Sequence, residues 1–407
     1  MPPSIVQRGI LSGIRVLDLS SYVAGPYACS LLADMGAEVI KVEPPNGDQL
    51  RHYPSTLNAE SRAFLGLNRS KLGIALDLKK VEGVEALLRL AATTDVLVHN
   101  FRPSVPPRLG IGYSHVRAIN PRIIYCALTG YGDCGPMKDK AGYDQVLQAF
   151  TGICVFQGAQ RGNPEIVAGS IVDYYAASLL ASSVCAALYH RERTGQGQSI
   201  SLSLLGAALA MQSARFVWVE NEPRDVERDL RSGGVTGIYA TAAGDLYLSA
   251  NTERFWRALC EILRLPELAR DPDYDTIRKR AARADEIAPK IREALASRTA
   301  LEWERLFGDR VPCCALRAIG EMFEHPQTLA EELVAFVKHP RVGNYRALRN
   351  PVKFSASPGP PPFAAPMLGQ HSDEILAGAG YDEREIAELR ALGVISPAGR
   401  ASSAQSE

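Results

Sequence analysis

The sequence predicts an α/β fold in which a parallel, doubly wound sheet occupies the chain up to about residue 205. Short apolar runs alternate there with helical runs, and polar or glycine-containing turns separate them. This alternation is typical of βαβ units, whose helices cover the faces of a parallel sheet. Near residue 223 the sequence becomes charged and then rich in glycine. We therefore predict a Rossmann-like large domain with a parallel sheet and, after it, a smaller α/β domain.

The first βαβ unit lies at the start of the chain. Residues 14–19 predict a short apolar strand, a helical run ends at Met35, and residues 36–43 predict the next strand. The first strand is not followed by the G-x-G-x-x-G pattern with which Rossmann folds hold a dinucleotide. A dinucleotide site is therefore not supported.

Three more strands are predicted before the longest apolar run of the chain. They are residues 73–78, 95–100 and 123–128, with a helix at 81–92 between the first two. In open parallel sheets, ligands bind beyond the carboxyl ends of the strands. Asn100, Phe101 and Arg102 stand at the end of the second of these strands, so we expect them at the ligand-binding edge.

An uncharged run at residues 176–189 predicts a buried helix. Basic residues and a Gly-Gln-Gly turn follow it, as is typical of a helix end, and residues 199–203 alternate as a strand does. The run is too short to span a bilayer. Asp173 precedes it, which places this carboxylate at or near the start of the helix.

Asp173 has two possible roles that do not exclude each other. A carboxylate at a helix start caps free N–H groups and is stabilised there as the anion. The same ionised carboxylate, walled by small residues, can attack a carbonyl carbon. The spacing alone favours the cap, since caps are far commoner than nucleophiles.

The rest of the chain predicts a second domain and a C-terminal segment. We predict a hairpin that turns at Ala243 and Gly244, several helices, a strand at 351–355, a proline-rich linker at 357–366 and a helical end at 373–392 with a break at 378–380. The predicted domain boundaries give the segments 1–222, 223–325 and 326–407.

Composition and charge narrow the class of protein. The 407 residues include 45 basic and 45 acidic side chains, so no net field attracts nucleic acid or an anionic membrane surface. The eight cysteines show no metal-binding spacing, and we expect them to be buried, reduced thiols of a cytoplasmic protein. We therefore expect no bound metal, no nucleic-acid partner and no membrane partner.

Several short motifs occur in a characteristic order along the chain. They are G-I-R-V-L-D-L-S at 13–20, A-G-P at 24–26, D-M-G-A-E-V-I-K-V-E at 34–43, N-F-R-P at 100–103, G-Y-D at 142–144, T-G-Q-G-Q at 194–198 and L-G-Q-H-S-D-E-I-L at 368–376. In that order and spacing the sequence resembles the family III CoA-transferases, a superfamily shared with formyl-CoA transferase, carnitine CoA-transferase and alpha-methylacyl-CoA racemase. The resemblance covers nearly the whole chain and is far less specific for a substrate than for the superfamily.

The resemblance implies an interlocked homodimer, in which each chain threads through the ring of the other and residues 326–407 return to the large domain. It implies that Asp173 is the nucleophile that attacks the thioester of an acyl-CoA. Coenzyme A and acyl-CoA then enter as substrates together with a carboxylic acid, a dicarboxylate among the candidates, and no tightly bound cofactor is implied. Ser232, Gly233 and Gly234 match the place of a shielding glycine loop in some relatives, but an interdomain hinge is the preferred interpretation.

The same resemblance implies which residues contact CoA. The expected contacts are Val23 and Ala24 along the pantetheine, Leu76 and Lys79 at the adenine, and Asn100, Phe101 and Arg108 at the nucleotide end. Cations pair strongly with phosphate oxygens, so Lys41, Arg51, Arg69 and Lys140 are added as phosphate ligands. For each of these cations an ordinary surface charge is the alternative.

Tyr143 bears on the choice between transfer and racemisation. Racemases of the superfamily carry a histidine at this place, in a Gly-His-Asp context. Tyrosine, with a pKa near ~10, is poorly matched to a general base at neutral pH, so the substitution favours CoA transfer. We expect Tyr143 to position substrate or CoA, or to pack at a strand-to-helix junction. An acyl-CoA racemase and a non-catalytic CoA-binding protein stay open as alternatives.

Overall fold

The structure is a computed structural model that describes residues 9–57, 60–158, 162–223 and 235–395. The chain divides into two compact units, Met1–Val217 with Leu329–Glu407 and Trp218–Thr328. The larger unit is therefore built from two separate segments of the chain. The predicted hinge at Ser232, Gly233 and Gly234 lies outside the described residues.

Six parallel strands form the sheet of the larger unit. They are β1 (Arg15–Asp18), β2 (Glu38–Glu43), β3 (Lys71–Ala75), β4 (Val96–His99), β5 (Ile124–Thr129) and β6 (Gln198–Ser203). Their order is β3-β2-β1-β4-β5-β6, the order of a doubly wound Rossmann-like fold. Every neighbouring pair is parallel, which confirms the predicted parallel sheet.

The order of the strands reverses between β1 and β4, which pair although β2 and β3 lie between them in the chain. Leu17 of β1 is in register with Ile40 of β2 on one side and with Leu97 of β4 on the other. A crevice opens beyond the carboxyl ends of the strands at such a reversal, and ligands bind there. The fold therefore brings residues 20–23 and 100–103 to one place.

Helices cover both faces of the sheet. In the first segment they are α1 (Ala24–Asp34), α2 (Arg62–Leu67), α3 (Val81–Ala91), α4 (Val105–Arg108), α5 (Tyr113–Ile119), α6 (Asp144–Phe150), α7 (Ile153–Gly158), α8 (Ile171–Thr194) and α9 (Leu204–Ala210). Successive strand residues point to opposite faces, so Val16 packs with α1 and α8 while Leu17 packs with α3 and α5. Both faces are apolar, as a parallel sheet between helices requires.

The helix α8 is 24 residues long, which is longer than the apolar run that predicted it. By length and composition alone this helix could cross a membrane. The run at residues 176–189 is too short to span a bilayer, but the helix that contains it is not. Ala176, Leu180 and Val184 are buried in the core that α8 shares with α1 and the sheet. Core helices pass the same test, which makes length a weak indication of a membrane span.

The smaller unit has an antiparallel sheet with β8 in the middle. Its strands are β7 (Gly237–Ala240), β8 (Asp245–Leu248) and β9 (Cys313–Ala315), and its helices are α10 (Glu253–Ile262), α11 (Pro266–Arg270), α12 (Ile277–Ala282), α13 (Ala284–Leu295) and α14 (Ala300–Phe307). The predicted hairpin is the β7–β8 pair. Trp256, Trp303 and Phe307 are buried in a core that belongs to this unit.

The C-terminal segment departs from the prediction in one element. Residues 351–355, predicted as a strand, form no regular structure. The strands of this segment are β10 (Val334–His339) and β11 (Gly343–Leu348), which pair as a hairpin. Small or polar residues such as Ala335, His339 and Ala347 are buried while Phe336 is 78% exposed, so the hydrophobic alternation that signals a strand is weak.

The end of the described chain lies along the edge strand β3. The helix α15 (Pro326–Ala330) precedes the hairpin, and α16 (Ser372–Gly378) and α17 (Glu383–Ala391) follow the linker. The backbone N–H of Gly73 donates to His371 Nδ1 at 3.0 Å, and its carbonyl accepts the His371 N–H at 2.8 Å. Leu76 forms a bridge with Ile395. This segment therefore covers a sheet edge that would otherwise expose unpaired backbone groups.

Candidate active site

A cavity of about 170 Å³ opens at the carboxyl ends of β1, β4 and β5, where the strand order reverses. Its wall near β5 depends on two glycines, because a Cβ on Gly130 would lie 2.7 Å from the Cα of Gly142. The position agrees with the general rule for ligand sites in doubly wound sheets. The cavity is lined by Ser21, Tyr22, Val23, Ala24, Asn100, Phe101, Arg102, Pro103, Leu128, Thr129, Gly130, Lys138, Lys140, Ala141, Gly142, Tyr143, Asp173 and Leu204.

Asp173 lies half-buried in the first turn of α8, at the wall of this cavity. It does not cap the helix, because Oδ2 of Asp144 accepts the backbone N–H of Val172 at 2.6 Å and that of Asp173 at 3.0 Å. Within the described residues, no hydrogen bond or ion pair engages the Asp173 carboxylate itself. The interpretation of Asp173 as an N-cap is therefore wrong.

The capping carboxylate is itself held in place. Asp144 is the first residue of α6 and is 4% exposed. Its Oδ1 accepts a hydrogen bond from Gln148 Nε2 at 2.5 Å. The Gln148 amide also bonds the backbone N–H and carbonyl of Val167, both at 2.9 Å. The start of α8 is thereby tied to the start of α6.

The environment of Asp173 favours its protonated form. Burial, and after it the negative charge of Asp144, raise the pKa of the Asp173 carboxyl from its ordinary 3.8 to about 7. The prediction that the helix start stabilises the Asp173 anion is wrong, because the N–H groups that would do so bond Asp144. A carboxylate with a raised pKa is a stronger base and a better nucleophile once it is ionised.

The loop at residues 20–22 is anchored by three different elements. Its successive N–H groups donate to side chains from the end of β1, from the residue after β4 and from the turn after β2. The pairs are Ser20 N to Asp18 Oδ1 at 3.0 Å, Ser21 N to Asn100 Oδ1 at 3.0 Å and Tyr22 N to Asp48 Oδ1 at 3.2 Å. Asn100 Nδ2 also donates to the Ser21 carbonyl at 2.8 Å. The Asn100 amide, predicted at the nucleotide end, thus holds this loop.

The backbone of Tyr22 is strained in this arrangement. Its φ is 65°, in the left-handed region, which costs a residue with a side chain roughly 1–2 kcal/mol. Its ring meets the ring of Tyr143 edge-on, with 5.5 Å between centroids and 75° between planes. The two tyrosines therefore form one aromatic wall of the cavity.

Lys41, predicted as a phosphate ligand, lies beneath the loop and is fully buried. Its Nζ donates to Asp48 Oδ2 at 2.9 Å and to the Ser20 carbonyl. Burial alone would lower the pKa of this ammonium, but the carboxylates of Asp18 and Asp48 hold it above its usual range. Lys41 is thus a structural cation that cannot reach a phosphate, and the predicted role is wrong.

The other predicted CoA ligands outside the cavity divide into buried and exposed residues. Arg51 pairs with both carboxylate oxygens of Glu43 at 2.8 Å, and Arg69 is 1% exposed and pairs with Asp34. Leu76 is 1% exposed and packs in the core of the sheet. These three side chains are therefore not available to a ligand. Lys79 and Arg108 are exposed but do not line the cavity.

The structure brings the remaining predicted residues together at the cavity with Asp173. They are Val23, Ala24, Asn100, Phe101, Lys140 and Tyr143. Arg102, expected at the ligand-binding edge, also lines the cavity, whereas Tyr22, Lys138 and Asp144 were not predicted as site residues. Asp144 stands in the quoted G-Y-D motif, which was the available signal. Nothing in the sequence distinguishes Tyr22 from its neighbours.

Three cations line the same cavity as Asp173. Arg102, Lys138 and Lys140 line the cavity and are exposed. None of the three forms an ion pair with another residue in the described ranges. Their charges are therefore available to anionic groups of a bound molecule.

The sequence is similar to known proteins along most of its length. Residues 11–372 match the family model of CoA-transferase family III. The chain is 35% identical over 401 residues to the succinyl-CoA:glutarate CoA-transferase of Mus musculus, which covers 95% of this chain and 90% of the relative. It is 32% identical over 412 residues to the formyl-CoA:oxalate CoA-transferase of Streptomyces coelicolor, which covers 95% of this chain and 99% of the relative.

Solved structures show the same fold. The crystal structure of a CAIB/BAIF family protein from Brucella suis superposes with a TM-score of 0.81 at 27% identity, covering 92% of this chain and all 100% of that one. The family match spans most of the sequence, and the curated relatives align along nearly its whole length. This chain therefore belongs to CoA-transferase family III, whose members act on CoA thioesters.

Proposed function

We propose that the enzyme transfers CoA from an acyl-CoA to a free carboxylic acid through an anhydride formed on Asp173. One observation carries this proposal: the Asp173 carboxylate lies at the cavity without a capping role, because Asp144 bonds the N–H groups at the start of α8. A buried carboxylate with a pKa raised to about 7 is suited to nucleophilic attack. The family membership supports the same reaction.

The first half of the reaction moves the acyl group to the protein. An Asp173 oxygen attacks the thioester carbonyl carbon, the new C–O bond forms, and the C–S bond breaks to release the CoA thiolate. The thiolate then attacks the Asp173 carbonyl carbon, which releases the donor acid and leaves an aspartyl thioester. Covalent catalysis of this kind keeps the free energy of the thioester from being lost to water.

The second half repeats these steps in reverse with the acceptor. The acceptor carboxylate attacks the aspartyl thioester carbon. A second anhydride forms between the acceptor and Asp173, and the thiolate is released again. The thiolate attacks the acceptor acyl carbon, a new acyl-CoA forms, and Asp173 is restored as a carboxylate. No proton has to be transferred in this scheme, so the site needs anion binding more than acid–base groups.

The cations of the cavity suggest the class of acceptor. By their names, the two curated relatives act with glutarate and with oxalate, which are dicarboxylic acids. We propose a dicarboxylate acceptor for this chain too. Arg102, Lys138 and Lys140 can pair with its second carboxylate or with CoA phosphates, because exposed cations at a cavity form charge-assisted hydrogen bonds. Val23, Ala24 and Phe101 provide the apolar wall for the pantetheine.

A racemase would need a base that removes and returns a proton at the alpha carbon. None of the residues that line the cavity in the described ranges is a histidine. His99, the nearest in sequence to the lining residues, is 3% exposed, and burial lowers its pKa to about 4. The residue at the racemase position is Tyr143, which is 53% exposed. These observations favour transfer.

We further propose that the enzyme works as a homodimer, as the family resemblance implies. Phe216, Val217, Trp218 and Val219 are consecutive and between 57% and 70% exposed. A run of exposed large apolar side chains is typical of a surface that another protein covers. Light scattering at several concentrations should report a mass of two chains, and a monomer that is fully active would contradict this part.

The experiment that tests the function compares the wild-type enzyme with Asp173→Asn. Succinyl-CoA is offered as donor and glutarate, oxalate and acetate as acceptors, and new acyl-CoA is measured by mass spectrometry. We expect transfer to at least one dicarboxylate and a loss on the order of 10⁴-fold in Asp173→Asn. CoA binding by calorimetry serves as the control and should be unchanged. An Asp173→Asn enzyme with normal transfer would contradict the proposal.

A further inference from the structure

Tyr22 combines two features that rarely occur in one residue. It lies on the wall of the cavity, and its backbone is in the left-handed region with a φ of 65°. An aromatic residue in that region is an outlier, and such strain tends to persist at functional sites, where the surroundings hold it in place. The structure shows what holds it here.

The backbone of Tyr22 is fixed from below by Asp48. Oδ1 of Asp48 accepts the Tyr22 N–H at 3.2 Å and also the Leu50 N–H at 2.9 Å. Asp48 is 2% exposed, and its second oxygen pairs with buried Lys41 at 2.9 Å. Its own N–H donates to Glu43 Oε2 at 2.9 Å. An acceptor held from several directions leaves the Tyr22 backbone little freedom.

The ring of Tyr22 packs against its neighbour in the same wall of the cavity. Tyr143 meets it edge-on at 5.5 Å between centroids. Tyr143 begins the segment that is tied to the start of α8 by Asp144, so the wall that the two rings form is connected to the turn that carries Asp173. The position of the wall relative to Asp173 is thus set by hydrogen bonds and not by loop flexibility.

The space beside this wall is small. The cavity has a volume of about 170 Å³. Sites that enclose a drug-sized ligand are roughly 300–1,000 Å³. The space within the cavity is therefore small, and the aromatic side chains that form one of its walls limit its size. Val23 and Ala24 are backed by the buried start of α1, which leaves the aromatic wall as the part that a substitution can open.

We propose that Tyr22 is a specificity-determining residue that limits the length of the acyl group accepted next to Asp173. The inference rests on the proposed function, because it places the acyl group of a CoA thioester in the part of the cavity that Tyr22 and Asp173 line. Replacing the ring with a smaller side chain enlarges the cavity, and a longer acyl chain then fits. The hydroxyl of Tyr22 is not required for this role, since the ring provides the bulk.

The test measures binding, so that it does not depend on turnover. Dissociation constants of butyryl-CoA and octanoyl-CoA are determined by calorimetry for the wild type, Tyr22→Asn and Tyr22→Phe. Asparagine is small and tolerates the left-handed region, and it keeps the N–H that Asp48 accepts, so Tyr22→Asn should fold. Tyr22→Phe keeps the ring. Tyr189→Asn, at a tyrosine that is 66% exposed on α8, is the control for the type of substitution.

We expect the wild type, Tyr22→Phe and Tyr189→Asn to prefer butyryl-CoA by about tenfold or more, and Tyr22→Asn to reduce that preference to less than about twofold. The inference is overturned if folded Tyr22→Asn keeps the wild-type preference, if Tyr22→Phe loses it equally, or if the wild type shows no preference. An enzyme that selects by length but transfers nothing would contradict the proposed function alone. An enzyme that transfers, with a preference that Tyr22→Asn does not change, would contradict this inference alone.

Discussion

The carboxylate of Asp144 accepts the backbone N–H of Asp173, with 3.0 Å between Asp144 Oδ2 and Asp173 N. The same oxygen accepts the N–H of Val172 at 2.6 Å. One acid therefore caps α8, and the carboxylate of the other lies at the cavity with no hydrogen-bond partner among the described residues. The capping acid also places a negative charge beside the second one, which helps to raise its pKa. Two neighbouring acids thus have different roles, one in the structure of α8 and one at the cavity.

The first prediction concerns the pH dependence of transfer. Asp173 must be ionised to attack, and its pKa is raised to about 7 by burial and by Asp144. The value of kcat/KM for the acyl-CoA should therefore rise with pH and level off above about pH 8. In Asp144→Asn the midpoint of this pH profile should move to lower pH, because one of the two causes that raise the pKa of Asp173 is removed. Asparagine keeps one oxygen that can accept the N–H groups of α8, but its Nδ2 then faces the Gln148 Nε2 donor. The Tm of Asp144→Asn is therefore measured as well, to separate the loss of that hydrogen bond from the loss of charge.

The control for this profile is Asp285→Asn, at an exposed acid of the first turn of α13 in the smaller unit. Its pH profile should match that of the wild type. A midpoint that stays near the wild-type value in Asp144→Asn would show that the charge of Asp144 does not act on Asp173.

The second prediction concerns stability. The pKa of Asp173 in the folded state, about 7, lies above its ordinary 3.8, so folding favours the protonated carboxyl. The free energy of unfolding should therefore fall as pH rises from about 4 through about 7. The asparagine of Asp173→Asn cannot ionise, so the free energy of unfolding of this variant should not fall for this reason. Its Tm should exceed that of the wild type by about 2–4 °C at about pH 8 and by much less at about pH 4.5.

Differential scanning calorimetry at the two pH values checks this directly. A Tm difference that is the same at both pH values would mean that ionisation of Asp173 carries no folding cost. Loss of activity together with a gain of stability would show that the site is kept at the expense of stability, as functional sites often are.

The third prediction contrasts two lysines. Lys41 is fully buried and pairs with Asp48, whereas Lys140 is exposed at the cavity. Lys41→Met should lower the free energy of unfolding by about 3–5 kcal/mol, because it leaves buried carboxylates without a partner. Lys140→Met should leave Tm unchanged and weaken acyl-CoA binding, with a smaller salt dependence than in the wild type.

Urea denaturation and calorimetric titrations at two salt concentrations separate these effects. If Lys41→Met kept full stability and lost CoA affinity instead, the assignment of Lys41 as a structural cation would be wrong. If Lys140→Met bound acyl-CoA with wild-type affinity and salt dependence, Lys140 would not be part of the anion-binding wall.

The fourth prediction concerns the contact between Gly130 and Gly142. A Cβ on Gly130 would lie 2.7 Å from the Cα of Gly142, which is too close for two carbon atoms that are not bonded to each other. Gly130→Ala should push the segment that carries Tyr143 away from β5, destabilise the enzyme by about 1–3 kcal/mol and reduce kcat/KM by about tenfold or more. Gly66→Ala in α2 is the matched control, since nothing lies within 4 Å of the added Cβ.

Gly66→Ala should be neutral or should stabilise by about 0.4–1 kcal/mol, because alanine is the better helix former. Unfolding and steady-state kinetics of both variants check the prediction. Equal behaviour of the two variants would show that the close contact is not needed.

The architecture of the sheet could be predicted because its signal is local. Each strand of the larger unit is a short apolar run followed by a turn, and each intervening helix is periodic, so β1 to β6 were placed within a few residues. The hairpin of β10 and β11 was missed, since Phe336 faces outward while Ala335 and His339 are buried. Val337 is also buried, but the alanine and histidine at the other buried positions leave the hydrophobic alternation weak.

The site could be predicted only in part, because the partners of its charged and polar side chains are distant in the sequence. Lys41, Arg51 and Arg69 look like surface cations in the sequence, yet each is buried against a carboxylate that the fold brings near. The cap of Asp144 on Asp173 joins residues 29 positions apart. Asn100 lines the cavity and also holds the loop of Ser21, a contact that the sequence does not indicate. The tertiary structure brings such partners together, and the local sequence does not show them.

The most direct measurement is trapping of the Asp173 intermediate. The enzyme is mixed with succinyl-CoA and hydroxylamine, which attacks an aspartyl thioester or anhydride and leaves a stable hydroxamate, and the protein is mapped by peptide mass spectrometry. We expect the modification on the peptide that carries Asp173, only when acyl-CoA is present, and none in Asp173→Asn. An enzyme that turns over while Asp173 stays unmodified, or that is modified at another carboxylate, would contradict the account.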